Sequence, residues 1–484
     1  MSKEKIGNSD LKSLGIKEIF LLKLFGRTAK KLRAYHKLKK PEIMEEFRKL
    51  LVNPVSYINY DNELSQVASE LIQYRKTNTP ESNKGQNYQL LPKPIEFKIY
   101  GKEQIEGDAL KQMQTAMQLP ITEAGALMPD AHTGYGLPIG GVLATKNDVV
   151  IPYAVGVDIA CRMCLTIFDL PAFELERQNE NLISALEENT IFGVGNKCAN
   201  HFDNSVFDLP EWNLTKIIRQ HRDLAFSQLG TSGAGNHFAE WGKLEINESV
   251  NELNIPKGNY VALLSHSGSR GFGSEIASYY SRLAMLQTKL PNEARHLAWL
   301  NLNSEEGQEY WIAMNLAGKY ASANHHEIHN KISKYLGLRP LAKLENHHNF
   351  AWKEKLSDGK EVIVHRKGAT PAKKGDIGII PGSMTLPGFV IKGKGNLQSI
   401  NSASHGAGRV MSRNQAYKNY TREDMLRQLK KFKVELIGGD IDEAPMVYKN
   451  IETVMDAQIE LVEILAKFYP KIVRMADPDR RRRR

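Results

Sequence analysis

The chain has 484 residues, 41% hydrophobic and 25% charged, with 37 Gly and 20 Pro. That balance excludes a disordered or collagen-like chain, and no uninterrupted apolar run reaches the roughly 20 residues needed to cross a bilayer. The net charge is +10 but uneven: residues 1–50 hold 14 Lys/Arg against 6 Asp/Glu, Arg480–Arg484 add five more, and the remainder carries 46 basic and 49 acidic groups. Positive ends suit a polyanionic partner, or else a solvated helix face. Three cysteines, an odd count in a long chain, argue against a disulfide scaffold. With no apolar leader in MSKEKIGNSDLKSLG, the expectation is a cytoplasmic protein.

In chain order, Ile16, Ile19, Phe20, Leu22, Leu24 and Phe25 precede RTAKKLRAYHKLKK and predict helix over 15–50, renewed where Pro41 opens PEIMEEFRKLL. A further helix at 60–76 leads into TNTPESNKGQ, whose composition marks a linker. Residues 1–87 thus read as a basic, mainly helical extension. From residue 88 the texture changes to short apolar runs (IEFKIY, GGVLAT, DVVIPYAV, CLTIFDL, YVALLSHS, EVIVHR, IGIIPG) between glycine-rich turns. Helical stretches are expected at 276–301, 306–336 and 449–468. The fold class is α+β, one large mixed α/β domain over 88–476, then an Arg-rich tail at 477–484.

The histidines carry the chemistry. Several sit in or beside glycine-dense turns: Asp130-Ala131-His132 before GYG, Gly235-Asn236-His237, Ser265-His266-Ser267-Gly268, His347-His348-Asn349 and Ser404-His405-Gly406. Glycine admits close backbone approach, and loops on a rigid scaffold are where catalytic groups gather. Asp158 and Cys161, three residues apart, can converge on one ion, giving with the imidazoles a mixed O, N, S donor set suited to Mn, Zn, Fe or Co. A buried structural thiol is the plainer reading of Cys161. Cys161 and Cys164 form one C-x-x-C with no second copy, so a zinc knuckle is weakly supported and Cys164 reads as core.

TSGAGNH, SHSGSRGFGS, IPGSM and SHGAGR combine Gly with Ser, and two include Arg. Backbone N–H groups in such turns bind anions and Arg forks grip phosphate. No Walker A sequence is present, which excludes a P-loop; taken singly, GFGSEI and GYGLPIGG read as ordinary turns.

MPDAHTGYGLPIGGV, VGVDIAC, GAGNHFAE, HSGSRGFG, HHNFA, HRKGATPA, PGSM, SHGAGRVMSR and DEAPMVYK occur in order across residues 128–449. Together they closely resemble the RtcB family of RNA ligases, which join RNA 3′-phosphate or 2′,3′-cyclic phosphate ends to 5′-hydroxyl ends in tRNA splicing or RNA repair. The resemblance implies an RtcB-type catalytic domain with two Mn(2+) ions, other divalent transition metals being alternatives. Cys161 would bridge the ions, His266 and His348 completing one and Asp158 and His237 the other, with His347 structural. It also implies His405 as the nucleophile that takes GMP from GTP, oriented by Asp130. Asn236, Glu240, Ser383, Ala407, Gly408 and Tyr448 would contact the nucleotide, and Arg270 and Arg409 RNA or phosphate. The implied partners are GTP and RNA (tRNA halves or cleaved structured RNA), with room for an archease-type activator and no membrane.

Three features depart from the family pattern. Thr385-Leu386-Pro387-Gly388-Phe389 replaces a hydroxyl-rich stretch after PGSM, Arg474 stands nearest the place of a terminal guanine-reading lysine, and about 80 N-terminal residues are unmatched. Two competing readings remain: a dinuclear metal-dependent phosphoesterase without covalent nucleotide, and a catalytically silent RNA-binding relative.

Overall fold

A computed structural model describes residues 6–16, 18–52, 54–57, 63–77, 85–198, 203–248 and 252–478. Most of the linker at 77–86 and all of Arg480–Arg484 lie outside them. The chain divides into two compact units, Met1–Gln86 and Asn87–Arg484.

The first unit contains the helices Asn8–Ser13, Ile19–Tyr35, Lys40–Val52 and Glu63–Thr77. The break expected at Pro41 is present: Lys40 starts a helix and proline follows in its first turn, where a missing N–H costs nothing. Leu22, Phe25, Ala29 and Leu32, spaced along one helix face, join Phe47, Leu50, Val67 and Leu71 in a core of its own. The Phe25 and Phe47 rings meet edge to face at 4.8 Å, and each buried phenyl contributes roughly 1.5–3 kcal/mol. Lys23, Arg27, Lys30 and Lys31 stay exposed on the same helix, at the i, i+4, i+7, i+8 spacing of a single stripe.

The second unit is α+β, as expected. An eight-stranded sheet runs in the order Pro340–His347, Arg162–Pro171, Gly258–Ser267, Phe238–Ile246, Val462–Met475, Gly388–Gly393, Ile377–Ile380, with Glu435–Ile437 pairing on Val462–Met475. A five-stranded sheet is ordered Asn349–Lys355, Glu361–Lys367, Ile139–Lys146, Thr122–His132, Lys98–Ile99. The 32-residue helix Glu305–Leu336 starts on a Ser304 cap and stops at left-handed Gly337, matching the 306–336 expectation. Its Tyr310, Met314, Ala317 and Tyr320 bury into a core with Trp212 and Phe272.

Two helical expectations are corrected. The helix expected over 276–301 spans Arg270–Gln287 and ends at Thr288, after which come a short strand, Pro291 and a 3-10 turn at Asn292–Leu297. β-Branched Thr288 and the proline ahead disfavour another helical turn. The 449–468 stretch forms only the short helix Ile451–Asp456, then the 14-residue strand Val462–Met475. Its apolar residues fit either period. Pairing with Gly388–Gly393 on one side and Phe238–Ile246 on the other decides for strand. DVVIPYAV also splits, into the strand Val149–Val150 and a helical turn begun by Pro152.

Candidate active site

Sheet register builds the site. Arg162–Pro171 lies antiparallel between Pro340–His347 and Gly258–Ser267, and Gly258–Ser267 pairs antiparallel with Phe238–Ile246. Arg162 therefore faces both His347 and Ser267, while Phe238 faces His266. The strands beginning at 162 and 238 start where those ending at 267 and 347 finish. Cys161, His237, His266 and His348 consequently collect at one end of the sheet.

Their donor atoms converge. The Cys161 Sγ lies 3.1 Å from His266 Nε2 and 3.5 Å from His237 Nε2. His266 Nε2 is 3.3 Å from His348 Nε2, and His237 Nε2 is 3.0 Å from Asp158 Oδ2. The His266 Nδ1–H donates to the Asn236 carbonyl at 2.9 Å, so its Nε2 carries a lone pair facing the thiol and His348. Burial holds His266 at about 3 and His348 well below the usual imidazole range, and it raises the Cys161 thiol. Burial also pushes Asp158 up, but the hydrogen bond and charge of His237 prevail and its carboxyl ends lowered. Gly268 leaves room for that carboxylate, since a Cβ there would lie 2.3 Å from Asp158 Oδ1. Neutral imidazoles, a displaceable thiol proton and a carboxylate in this geometry fit transition-metal cations. Cys161, His237 and His266, all buried, bring donors within 4.8 Å of one another and could hold a metal ion, with Asp158 and His348 in contact with them. His347 turns away: its ring stacks on Trp352 at 5.2 Å and accepts from Arg162.

His405 follows the strand Ser402–Ser404, its ring centroid 4.9 Å from that of His348. Its Nδ1–H donates to Asp130 Oδ2 at 2.7 Å, and the same oxygen accepts from the His405 and Gly406 backbone N–H groups at 3.1 and 3.3 Å. Fully buried Asp130 thus fixes ring and tautomer, leaving Nε2 as the lone-pair nitrogen. Gly408 makes the approach possible: at φ +74°, a Cβ would sit 2.1 Å from the Asp130 carbonyl.

These groups open on a cavity of about 950 Å³ whose wall includes Asp158, Cys161, His266, His348 and His405. Asn236, Glu240, Ser383, Ala407, Gly408, Arg409 and Tyr448 also line it. Glu240 is buried and its carboxyl pushed well up. Arg409 stacks on Tyr448 and donates to Glu443 at 3.3 Å and to the Asp442 carbonyl at 2.7 Å. Arg270 lies outside the lining, donating to Thr231 Oγ1 and the Gly193 carbonyl at 3.0 Å each. Arg474 does too: strand alternation turns Val473 and Met475 to the cavity, and Arg474 lies over Phe192 and pairs with Asp477 at 2.9 Å. It is no stand-in for a guanine-reading lysine.

Sequence reading passed over Lys367, Arg413 and Glu443. Lys367, in the wall, is held by burial at about 7. Arg413 bridges Asp442 and Glu443 at 2.6 and 2.7 Å. The signals were present, Lys367 in HRKGATPA and Glu443 in DEAPMVYK, but nothing in the sequence separates a buried cation from a solvated one. A second buried group, Cys164, His325 and His329, also brings its donors within 4.8 Å of one another, with three imidazole nitrogens hydrogen-bonded and His325 Nε2 without a partner. Ser265 Oγ joins His325 Nδ1 at 2.7 Å and His329 Nε2 at 2.8 Å, and Thr166 takes His329 Nδ1 at 2.7 Å. Cys164 is core, as expected.

An oriented imidazole beside cation-binding donors, in a cavity lined by several glycines, is the equipment of enzymes that transfer phosphoryl or nucleotidyl groups. Comparison with known families agrees: residues 112–225 and 208–476 match the tRNA-splicing ligase RtcB family, and the chain belongs to it. RNA-splicing ligase RtcB1 of Escherichia coli is 34% identical over 412 residues, 78% of this chain and 97% of its own. The tRNA-splicing ligase RtcB of Nanoarchaeum equitans is 31% identical over 457 residues, 78% of this chain and 95% of its own. RNA-splicing ligase RtcB homolog 1 of Entamoeba dispar is 30% identical over 434 residues, 75% and 81% of the two chains. Among the described residues, no helix is long and apolar enough to cross a membrane.

Proposed function

We propose that this chain is a GTP- and manganese-dependent RNA ligase, joining 3′-phosphate or 2′,3′-cyclic phosphate ends to 5′-hydroxyl ends through a His405–GMP intermediate. The observation that carries the reading is the 2.7 Å bond from His405 Nδ1–H to Asp130, which ties up Nδ1 and leaves Nε2 as the nitrogen free to react, in a ring 4.9 Å from that of His348. Nε2 attacks the α-phosphorus of GTP, the bond to the β-phosphate oxygen breaks, and pyrophosphate leaves. A 2′,3′-cyclic end is first hydrolysed, water adding to phosphorus and the bond to O2′ breaking, and GMP then passes from nitrogen to an oxygen of the RNA 3′-phosphate. The 5′-hydroxyl oxygen attacks that 3′-phosphorus and expels GMP, closing the phosphodiester. Manganese held by Cys161, Asp158, His237, His266 and His348 would supply neutralisation of phosphate charge. Asn236, Glu240, Ser383, Ala407, Gly408 and Tyr448 hold the guanylate, and Arg409 faces phosphate.

The RNA is a set of tRNA halves or a cleaved structured RNA, and the exposed Lys23, Arg27, Lys30 and Lys31 stripe adds salt-sensitive capture of its backbone. α-Labelled GTP with manganese gives an acid-labile labelled protein, lost in His405→Ala. No label with any divalent metal, alongside cleavage of phosphoesters, would favour the phosphoesterase instead.

A further inference from the structure

We propose that Tyr135 is a stacking platform for a nucleobase at the end of an RNA strand, a subsite distinct from the guanylate contacts; the proposal rests on the RNA-ligase reading and extends it. Tyr135 lines the catalytic cavity yet is 71% exposed. A tyrosine so exposed contributes little packing, but its backbone is pinned on several sides. Gln112 exchanges two hydrogen bonds with Gly134, donating to its carbonyl at 2.6 Å and accepting its N–H at 3.0 Å. Thr133 Oγ1 donates to Glu106 at 3.0 Å, and buried Lys367 donates to the Tyr135 carbonyl. A braced loop thus presents an exposed ring at a fixed place, which lowers the entropy cost of using it.

The neighbours are those of a nucleotide site. The His296 ring meets Tyr135 edge-on at 6.4 Å and Tyr153 edge-on at 5.1 Å, an aromatic group at the cavity rim. Lys367 brings an amine to the same wall, and the next residue, Gly368, packs against His405: a Cβ on it would lie 3.1 Å from His405 Cε1. The Tyr135 backbone carbonyl, Lys367, Gly368 and His405 therefore follow one another by contact along the wall. Arg409, Tyr448 and Glu443, bonded to one another, make a separate part of the wall. Bases offer a π-face whatever their identity, so such a ring serves substrates of varied terminal sequence.

The test is equilibrium binding of short RNAs carrying 2-aminopurine at the terminal nucleotide of either a 3′-phosphate or a 5′-hydroxyl strand, without GTP. Wild type and Tyr135→Phe quench the probe equally, whereas Tyr135→Ala loses the quench and binds roughly tenfold more weakly. Quenching with one strand and not the other identifies which end docks there. Quenching by neither strand, or an unchanged Tyr135→Ala, overturns the platform, and so does a binding loss matched by a lowered unfolding midpoint. Failure of the ligase reading would show differently, as absent joining and absent labelled adduct in the wild type, with the binding result still in hand.

Discussion

Asp130→Asn separates orientation of His405 from construction of the metal site. Asp130 Oδ2 accepts three hydrogen bonds, the shortest from His405 Nδ1 at 2.7 Å. The carboxylate is fully buried and lies outside the Cys161 donor set. Asparagine keeps the size and can still accept from Nδ1, but it exchanges a charge-assisted bond for a neutral one. That difference is about 1–2 kcal/mol, and every 1.4 kcal/mol is about a tenfold change in rate. If the amide instead turns its NH2 towards Nδ1, the tautomer reverses and the nucleophile is lost, so tenfold is the smaller expectation. The assay is single-turnover formation of the labelled adduct from α-labelled GTP, with bound metal counted by mass spectrometry. Adduct formation slows by about tenfold or more while metal content stays at the wild-type value. An adduct rate within twofold of wild type would refute the orienting role, and parallel loss of metal would assign Asp130 to the metal site.

His348→Ala abolishes one metal site whereas His347→Ala, which removes a ring stacked on Trp352, leaves the metal count intact; equal losses would undo the ligand assignment. Glu354→Gln strands the guanidinium of Arg366, which is fully buried and bonded to Glu354 at 2.7 Å. Breaking such a pair costs about 3–5 kcal/mol, so the unfolding midpoint drops by several degrees in calorimetry, and a shift under one degree would show that the Ser402 and Ile400 bonds to Arg366 suffice. Deleting residues 1–50 weakens RNA binding and flattens its salt dependence, measured by titration in rising KCl, with little effect on adduct formation; equal loss of both would make the segment structural.

Much of the candidate site was legible because its histidines lie at or next to glycine-rich strand ends, His237 just before one strand and His266 at the end of another, where a buried-face pattern does not call for a histidine. Cys161 and Asp158 were readable for a related reason, three residues apart in a turn. What stayed hidden depended on partners remote in sequence. Val462–Met475 has apolar residues compatible with a helix until two neighbouring strands claim its backbone. Arg474 looked available to the cavity until strand alternation faced it to Phe192. Lys367 differs from any surface lysine only by its burial. Tyr135 lay in a quoted motif without a role, since exposure of an aromatic is a property of the folded surface alone.

The meeting of strand starts and strand ends at the donor cluster also sets where this chain tolerates change in length. A one-residue slip in Gly258–Ser267 would carry His266 to the opposite face of the sheet, and a slip in either of the two strands beside it would displace Cys161 or His237, which immediately precede them. Insertions between those strands leave the register untouched. The chain can therefore lengthen or shorten its connections, while the interval from each strand terminus to its donor atom stays fixed to the residue.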